Sequence, residues 1–159
     1  MKRIYILRHG KTEKSTEDKP DYERALLDAG REESRQIGLK MKNAGIMPEE
    51  IISSAAKRAL ETARLCIESW SFEKDIEASE ALYTASAQDY IEIIRTLPEA
   101  LNSVMLVGHN PTIEEFNEVL SGNYIVVKPA HLLWYELDLR MWSNFESGVS
   151  PARTGCLTP

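Results

Sequence analysis

Two of the three histidines in this chain sit in like settings, Leu7-Arg8-His9-Gly10 and Val107-Gly108-His109-Asn110. Each follows a short apolar run, Ile4-Tyr5-Ile6-Leu7 in one case and Val104-Met105-Leu106-Val107 in the other. Such runs read as buried strands, and open α/β sheets bind ligands at the carboxyl ends of their strands. A histidine there is a nucleophile, a base or a metal ligand. The arginine beside it offers a planar donor fork suited to phosphate or carboxylate, and the glycine permits a tight turn or the close approach of a ligand. Arg8-His9-Gly10 by itself also fits a capped strand end followed by a turn. The repeat of the pattern favours chemistry: strand ends of one parallel sheet lie along one edge, so histidines about a hundred positions apart can face one pocket.

A third strand end falls at Ser53-Ser54, with Lys57-Arg58 in the first turn of the helix that follows. A cation so early in a helix opposes the helix dipole, which is mildly costly unless an anion answers it. Arg58 is therefore either a solvated surface charge or part of an anion site at the same edge. Arg24 follows Glu23 and is open to a plain surface pairing as well.

Those residues need elements to hold them. The chain has 159 residues, enough for one domain, 1–159, with a real core. Its 43% hydrophobic and 28% charged residues are ordinary for a soluble globular protein. A net charge of −6 argues against a general nucleic-acid or anionic-membrane surface and leaves room for a local cationic pocket. Cys66 and Cys156 imply no disulfide framework, and no run is long enough for a signal-peptide core or a membrane span, so a cytoplasmic protein is expected.

Strand and helix signals alternate without repeats or low-complexity linkers, which points to one α/β layer structure. After Gly10 a polar stretch to Glu23 reads as a surface loop of the length that tends to be functional. Asp28 offers an N-cap for a helix that Gly45 ends, with Ile37, Gly38 and Met41 on its inner face. Glu50–Ser54 reads as a strand and 57–69 as a helix with Ala59, Leu60, Ala63 and Ile67 inward. A short strand is expected within 76–82. A helix over 88–97 follows, with Ile91, Ile94 and Leu97 inward and Pro98 as its stop. Ser103–Val107 is the second core strand, 112–120 a helix and 131–139 a strand, with one more strand in the tail whose place in the sheet the sequence leaves open.

Four blocks then stand in order: Arg8-His9-Gly10 after a first strand; Arg24 in Glu-Arg-Ala-Leu-Leu-Asp-Ala-Gly; Ser53-Ser54 leading to Lys57-Arg58-Ala-Leu-Glu-Thr-Ala; and Val107-Gly108-His109-Asn110-Pro111. Together they resemble the histidine phosphatase superfamily, and their spacing is most similar to its short branch, the SixA-type phosphohistidine phosphatases, from Lys2 to the region of Leu139. The resemblance implies a phosphoglycerate-mutase-like fold, a three-layer α/β/α sandwich with a mostly parallel central sheet. It implies metal-independent phosphoryl transfer through a phosphohistidine on the enzyme. By motif match His9 is the nucleophile, Arg8, Arg24 and Arg58 bind phosphate, and His109 is the second pocket histidine. Gly10 and Asn110 fall among the substrate-binding positions of the same blocks.

Phosphoryl transfer asks for such a set in its own right, since positioning and donors on the equatorial oxygens matter more to it than covalent help. His9 must be unprotonated on its attacking nitrogen. Nearby arginines lower its pKa, and a hydrogen bond to the other nitrogen fixes the tautomer, though no side chain in the sequence declares itself as that partner. His109 then donates to a phosphoryl oxygen. With only His131 left, no histidine pair at helical spacing and no Asp-rich loop, neither a metal nor a cofactor is expected, and activity should survive chelators. Three arginines around one cavity select an anion such as phosphate or sulfate.

The larger branches of the superfamily protonate the leaving group with an acidic residue, and the stretch from Glu80 to Asp89 holds no clear match to that motif. Glu80 and Asp89 are acids in principle, yet read better as a solvated charge and a helix-start residue. Without an acid an alcohol leaves poorly, whereas the imidazole of a phosphohistidine leaves readily. The expected substrate is therefore phosphohistidine, borne on a partner protein. The alternatives are a phosphomonoesterase or mutase for a small metabolite, and a non-catalytic phosphate-binding module. Lys11 and His131 stay open between a place at the pocket and a plain structural one. Tyr83 and Thr84 read as core or rim packing.

Overall fold

The computed structural model describes residues 1–159. Six strands, β1 (Lys2–Arg8), β2 (Glu50–Ser54), β3 (Glu77–Ser79), β4 (Ser103–Gly108), β5 (Leu132–Leu137) and β6 (Arg153–Leu157), form one sheet in the order β3-β2-β4-β1-β5-β6. The first four run parallel; β5 lies antiparallel beside β1, and β6 antiparallel beside β5. The four helices are α1 (Asp28–Asn43), α2 (Lys57–Ile67), α3 (Ala87–Arg95) and α4 (Thr112–Ser121).

β1 is apolar on both faces through its middle, Ile4 to Leu7, because both faces of the central sheet are covered. Ile4 and Ile6 belong to a core with Ile91 and Ile94 of α3 and Ile113 and Phe116 of α4. Tyr5 and Leu7 belong to a second core with Ile37 and Met41 of α1 and Ala59, Ala63 and Cys66 of α2. The period-2 alternation of one strand thus splits the interior into the two cores of a three-layer α/β/α arrangement. This is the phosphoglycerate-mutase-like architecture implied by the four blocks, with a sheet that is mostly parallel.

Some boundaries differ from expectation. Asp28 is not the cap of α1: Leu27 is, without a side-chain capping bond, because its N–H donates to the Lys11 carbonyl at 2.9 Å and fixes the chain there. Asp28 instead occupies the first turn, where its charge suits the helix dipole, and pairs with Arg31 at 3.0 Å. α3 begins at Ala87 because Ser86 and Asp89 form a reciprocal capping box. On α2 the fully buried row is Ala59, Thr62, Ala63 and Cys66, together with Arg58; Leu60 and Ile67 lie at its margin. Gly45 ends α1 as expected, at φ +70°.

Candidate active site

β1 and β4 are neighbours in the middle of the sheet, with Arg8 in register with Gly108, and the His9 N–H continues the ladder to the Gly108 carbonyl at 3.1 Å. Both strands therefore release a histidine at the same height, and the His9 and His109 rings lie 5.2 Å apart between centroids. The chain leaving β1 passes close to α1: a Cβ on Gly10 would lie 2.7 Å from the Gly30 carbonyl oxygen, and one on Gly30 would lie 2.2 Å from that of Lys11. Glycine at both positions is a matter of space.

The rings open on a cavity of about 700 Å³. Its walls include Arg8, His9, Gly10, Arg24, Arg58, His109 and Asn110, so every residue selected from the sequence reaches one site. Lys11 is also there, at an exposed edge where its ammonium pairs with Glu33 at 2.6 Å. His131 is not in the wall; its carbonyl accepts the Arg8 N–H at 3.1 Å, which ties β5 to the end of β1. Glu80 accepts the Tyr22 hydroxyl at 2.7 Å and Asp89 caps α3, so neither acid lines the cavity.

The partner of His9 is a backbone carbonyl. Nδ1 lies 2.8 Å from the Gly10 oxygen, an acceptor only, so Nδ1 carries the proton and Nε2 is left with its lone pair. Gly10 is held in turn: its N–H donates to Thr62 Oγ1 at 3.0 Å, and that hydroxyl donates to the Arg58 carbonyl at 2.8 Å. Burial pushes the His9 imidazolium down to about 3; the Gly10 carbonyl opposes this, and the charges of His109, Arg58 and Arg8 add to it. The arginines expected to lower this pKa thus do so, but desolvation is the larger cause.

His109 Nε2 lies 2.8 Å from Ser54 Oγ, at the end of β2. Its Nδ1 is buried without a protein partner, as are Nε of Arg8 and Nε of Arg58. Burial, followed by the Arg58 charge, pushes the His109 pKa down to about 4, so both rings are neutral at pH 7.

The anion that answers Arg58 is Asp21, in a 3-10 turn (Asp21–Glu23) of the loop after β1. Arg58 Nη1 donates to the Asp21 carbonyl at 2.6 Å and Nη2 to its Oδ2 at 2.9 Å; Tyr83 donates its hydroxyl to the same Oδ2 at 2.8 Å. Arg24 bonds Asp21 Oδ1 and the Glu13 carbonyl, each at 2.8 Å, and Thr12 Oγ1. It therefore pairs with Asp21 and not with Glu23. Several donors expected to meet substrate are engaged within the protein: the Gly10 N–H, the Asn110 amide with Glu114 and the Val127 carbonyl, and Arg8 Nη1 with the same carbonyl at 2.7 Å.

Sequence reading passed over Asp21, Ser54 and Thr62 as individual residues, and assigned Tyr83 to packing. Ser54 and Thr62 lay inside the block around Arg58, and the cost of an unanswered Arg58 was the one signal that called for an acid. No group of three or more His, Cys, Asp or Glu side chains is placed to hold a metal ion.

The family model of the histidine phosphatase superfamily (branch 1) matches residues 4–121, from the first core strand through the helix after His109. The chain belongs to the histidine phosphatase superfamily. It is an enzyme of phosphatase type, and SixA proteins are among the solved structures that it resembles in shape. A SixA phosphohistidine phosphatase candidate from Agrobacterium tumefaciens superposes with a TM-score of 0.83 at 26% identity, over 99% of this chain and 98% of that one. The protein histidine phosphatase SixA in complex with tungstate gives 0.77 at 21% identity, over 86% and 88%. A phosphoserine phosphatase from Entamoeba histolytica, in complex with 3-phosphoglyceric acid, shares the fold at 0.65 and 12% identity, over 86% and 91%. A search of the curated proteins by sequence found none that matches. No helix is long and apolar enough to cross a membrane.

Proposed function

We propose that this superfamily member removes the phosphoryl group from phosphohistidine on a protein, through a phosphohistidine formed on His9. Supporting this is one observation above the rest: a neutral imidazole whose Nδ1 proton is fixed on the Gly10 carbonyl, leaving Nε2 as the nucleophile in a cavity walled by three arginines. Nε2 attacks phosphorus as the P–N bond to the substrate imidazole breaks. The departing imidazole takes a proton from solvent, and water then displaces phosphate from His9. Arg8, Arg58 and His109, which line the cavity, hold the equatorial oxygens. Gly10 turns the chain under His9, and Asn110 and Arg24 shape the wall.

The substrate class follows from the acids. Asp21 is the only carboxyl among the lining residues, and hydrogen bonds from Arg24, then Tyr83 and Arg58, hold its pKa far below the usual carboxylate range. It is ionised at neutral pH and has no proton to give an alcohol. A phosphoramidate does not need one. That the SixA protein named above was solved with tungstate, an oxyanion, agrees with a phosphorylated ligand here.

The test is turnover, in chelator, of a phosphohistidine protein against a panel of sugar and serine phosphates. The expected result is a preference of at least about a hundredfold in kcat/KM for phosphohistidine, and an acid-labile, alkali-stable phosphoenzyme on wild type that His9→Ala lacks. Faster turnover of the esters would overturn the substrate class, and a phosphoenzyme on His9→Ala would overturn the nucleophile.

A further inference from the structure

The cavity holds three arginines and a single carboxylate, that of Asp21; the charge of Lys11, at the exposed edge of its wall, is answered by Glu33 at 2.6 Å. Three positive charges less one negative leave the charge that a phosphoryl dianion balances. We propose that Asp21 is a specificity-determining residue that sets the charge of the phosphate pocket, trimming three guanidinium groups to match one dianion so that product phosphate can leave. This rests on the reading of the cavity as a phosphate site and says what tunes it.

Geometry separates this role from simple bracing. Arg58 has anchors besides the carboxylate: its Nη1 donates to the backbone oxygen of Asp21 at 2.6 Å, and its guanidinium lies 6.0 Å from the Tyr83 ring centroid. Arg24 is likewise held by the Glu13 carbonyl at 2.8 Å and by Thr12 Oγ1. The carboxylate adds a contact to each, but its larger effect is its charge. Arg58 is almost wholly buried, at 6% side-chain exposure, while the Asp21 carboxylate is 45% exposed, so their shared field is weakly screened on the arginine side and damped by water on the other. Taking the negative charge away strengthens the hold on any anion in the same cavity. It strengthens it more for a more highly charged anion.

The experiment is calorimetric titration of wild type, Asp21→Asn and Asp21→Glu with inorganic phosphate and with pyrophosphate. Phosphate inhibition of turnover is measured alongside, and thermal unfolding checks that each variant is folded. Asp21→Asn loses the charge and keeps one acceptor oxygen, enough for Arg58 and Tyr83 but not also for Arg24, which retains Glu13 and Thr12. It is expected to bind phosphate about tenfold more tightly, with a larger gain for pyrophosphate and a gain that shrinks as salt is added. KM and the inhibition constant for phosphate should fall together. Asp21→Glu keeps the charge and should bind phosphate within about threefold of wild type. If wild type binds phosphate and Asp21→Asn binds it equally or more weakly, the carboxylate braces the arginines and the proposal fails, with the phosphate site intact. If wild type itself binds neither anion, the reading of the cavity fails and the proposal with it.

Discussion

His109 depends on a hydroxyl supplied by another strand. Ser54 Oγ, 2.8 Å from Nε2, fixes the ring that faces His9, and removing it leaves the imidazole free to turn with both ring nitrogens lacking a protein partner. Ser54→Ala is expected to lower kcat about tenfold with a smaller change in KM, measured by steady-state kinetics; an unchanged kcat would show that the ring needs no such support. Thr62 acts on the other histidine through Gly10. Thr62→Val keeps the shape, leaves the buried Gly10 N–H without an acceptor, and is expected to cost about 1–3 kcal/mol of stability in urea unfolding, together with slower phosphoenzyme formation.

At the scale of elements, the site depends on how closely helices and chain ends approach. α1 crosses α2 at Gly38, where a Cβ would lie 1.8 Å from the Cys66 carbonyl oxygen, so Gly38→Ala must push the two helices apart. The expected loss is about 2–3 kcal/mol in urea unfolding. Arg58, on the first turn of α2, would shift with it, so kcat/KM should drop as well; full stability in Gly38→Ala would mean that the contact yields easily. The loop between β1 and α1 is fastened from within by Arg24 on Thr12, Glu13 and Asp21, and to α2 through Arg58. Its polar, aperiodic sequence describes a connection with its own internal bonding.

For the molecule as a whole, two neutral buried histidines make stability depend on pH. Their folded pKa values, about 3 for His9 and about 4 for His109, lie below the ordinary value of 6.5. As pH falls below 6.5 the unfolded chain takes up protons first, so stability is full above that point and declines towards pH 4. The expected slope is about 1.4 kcal/mol per pH unit for each histidine, seen as a falling urea midpoint between about pH 6 and 4.5. His9→Gln should show a shallower decline, and a flat midpoint in wild type would mean that the rings are not held neutral. Chelator is expected to leave turnover unchanged, because the proposed chemistry uses arginine where other phosphatases use metal.

What the sequence determined by itself is local in kind. Apolar runs closed by Arg8-His9-Gly10 and Gly108-His109-Asn110 marked two strand ends, and the helical periods of 28–44 and 57–69 marked the covering elements, since periodicity and strand-end chemistry are written into neighbouring residues. The parallel edge that brings His9, Arg58 and His109 together followed from the α/β alternation. The tertiary structure decided what contact between distant segments decides: β5 antiparallel beside β1, a carbonyl as the partner of His9, and Asp21 as the answer to Arg58. A backbone oxygen has no residue type to betray it, and a carboxylate in a polar loop looks like any other until the fold lays it against a buried guanidinium.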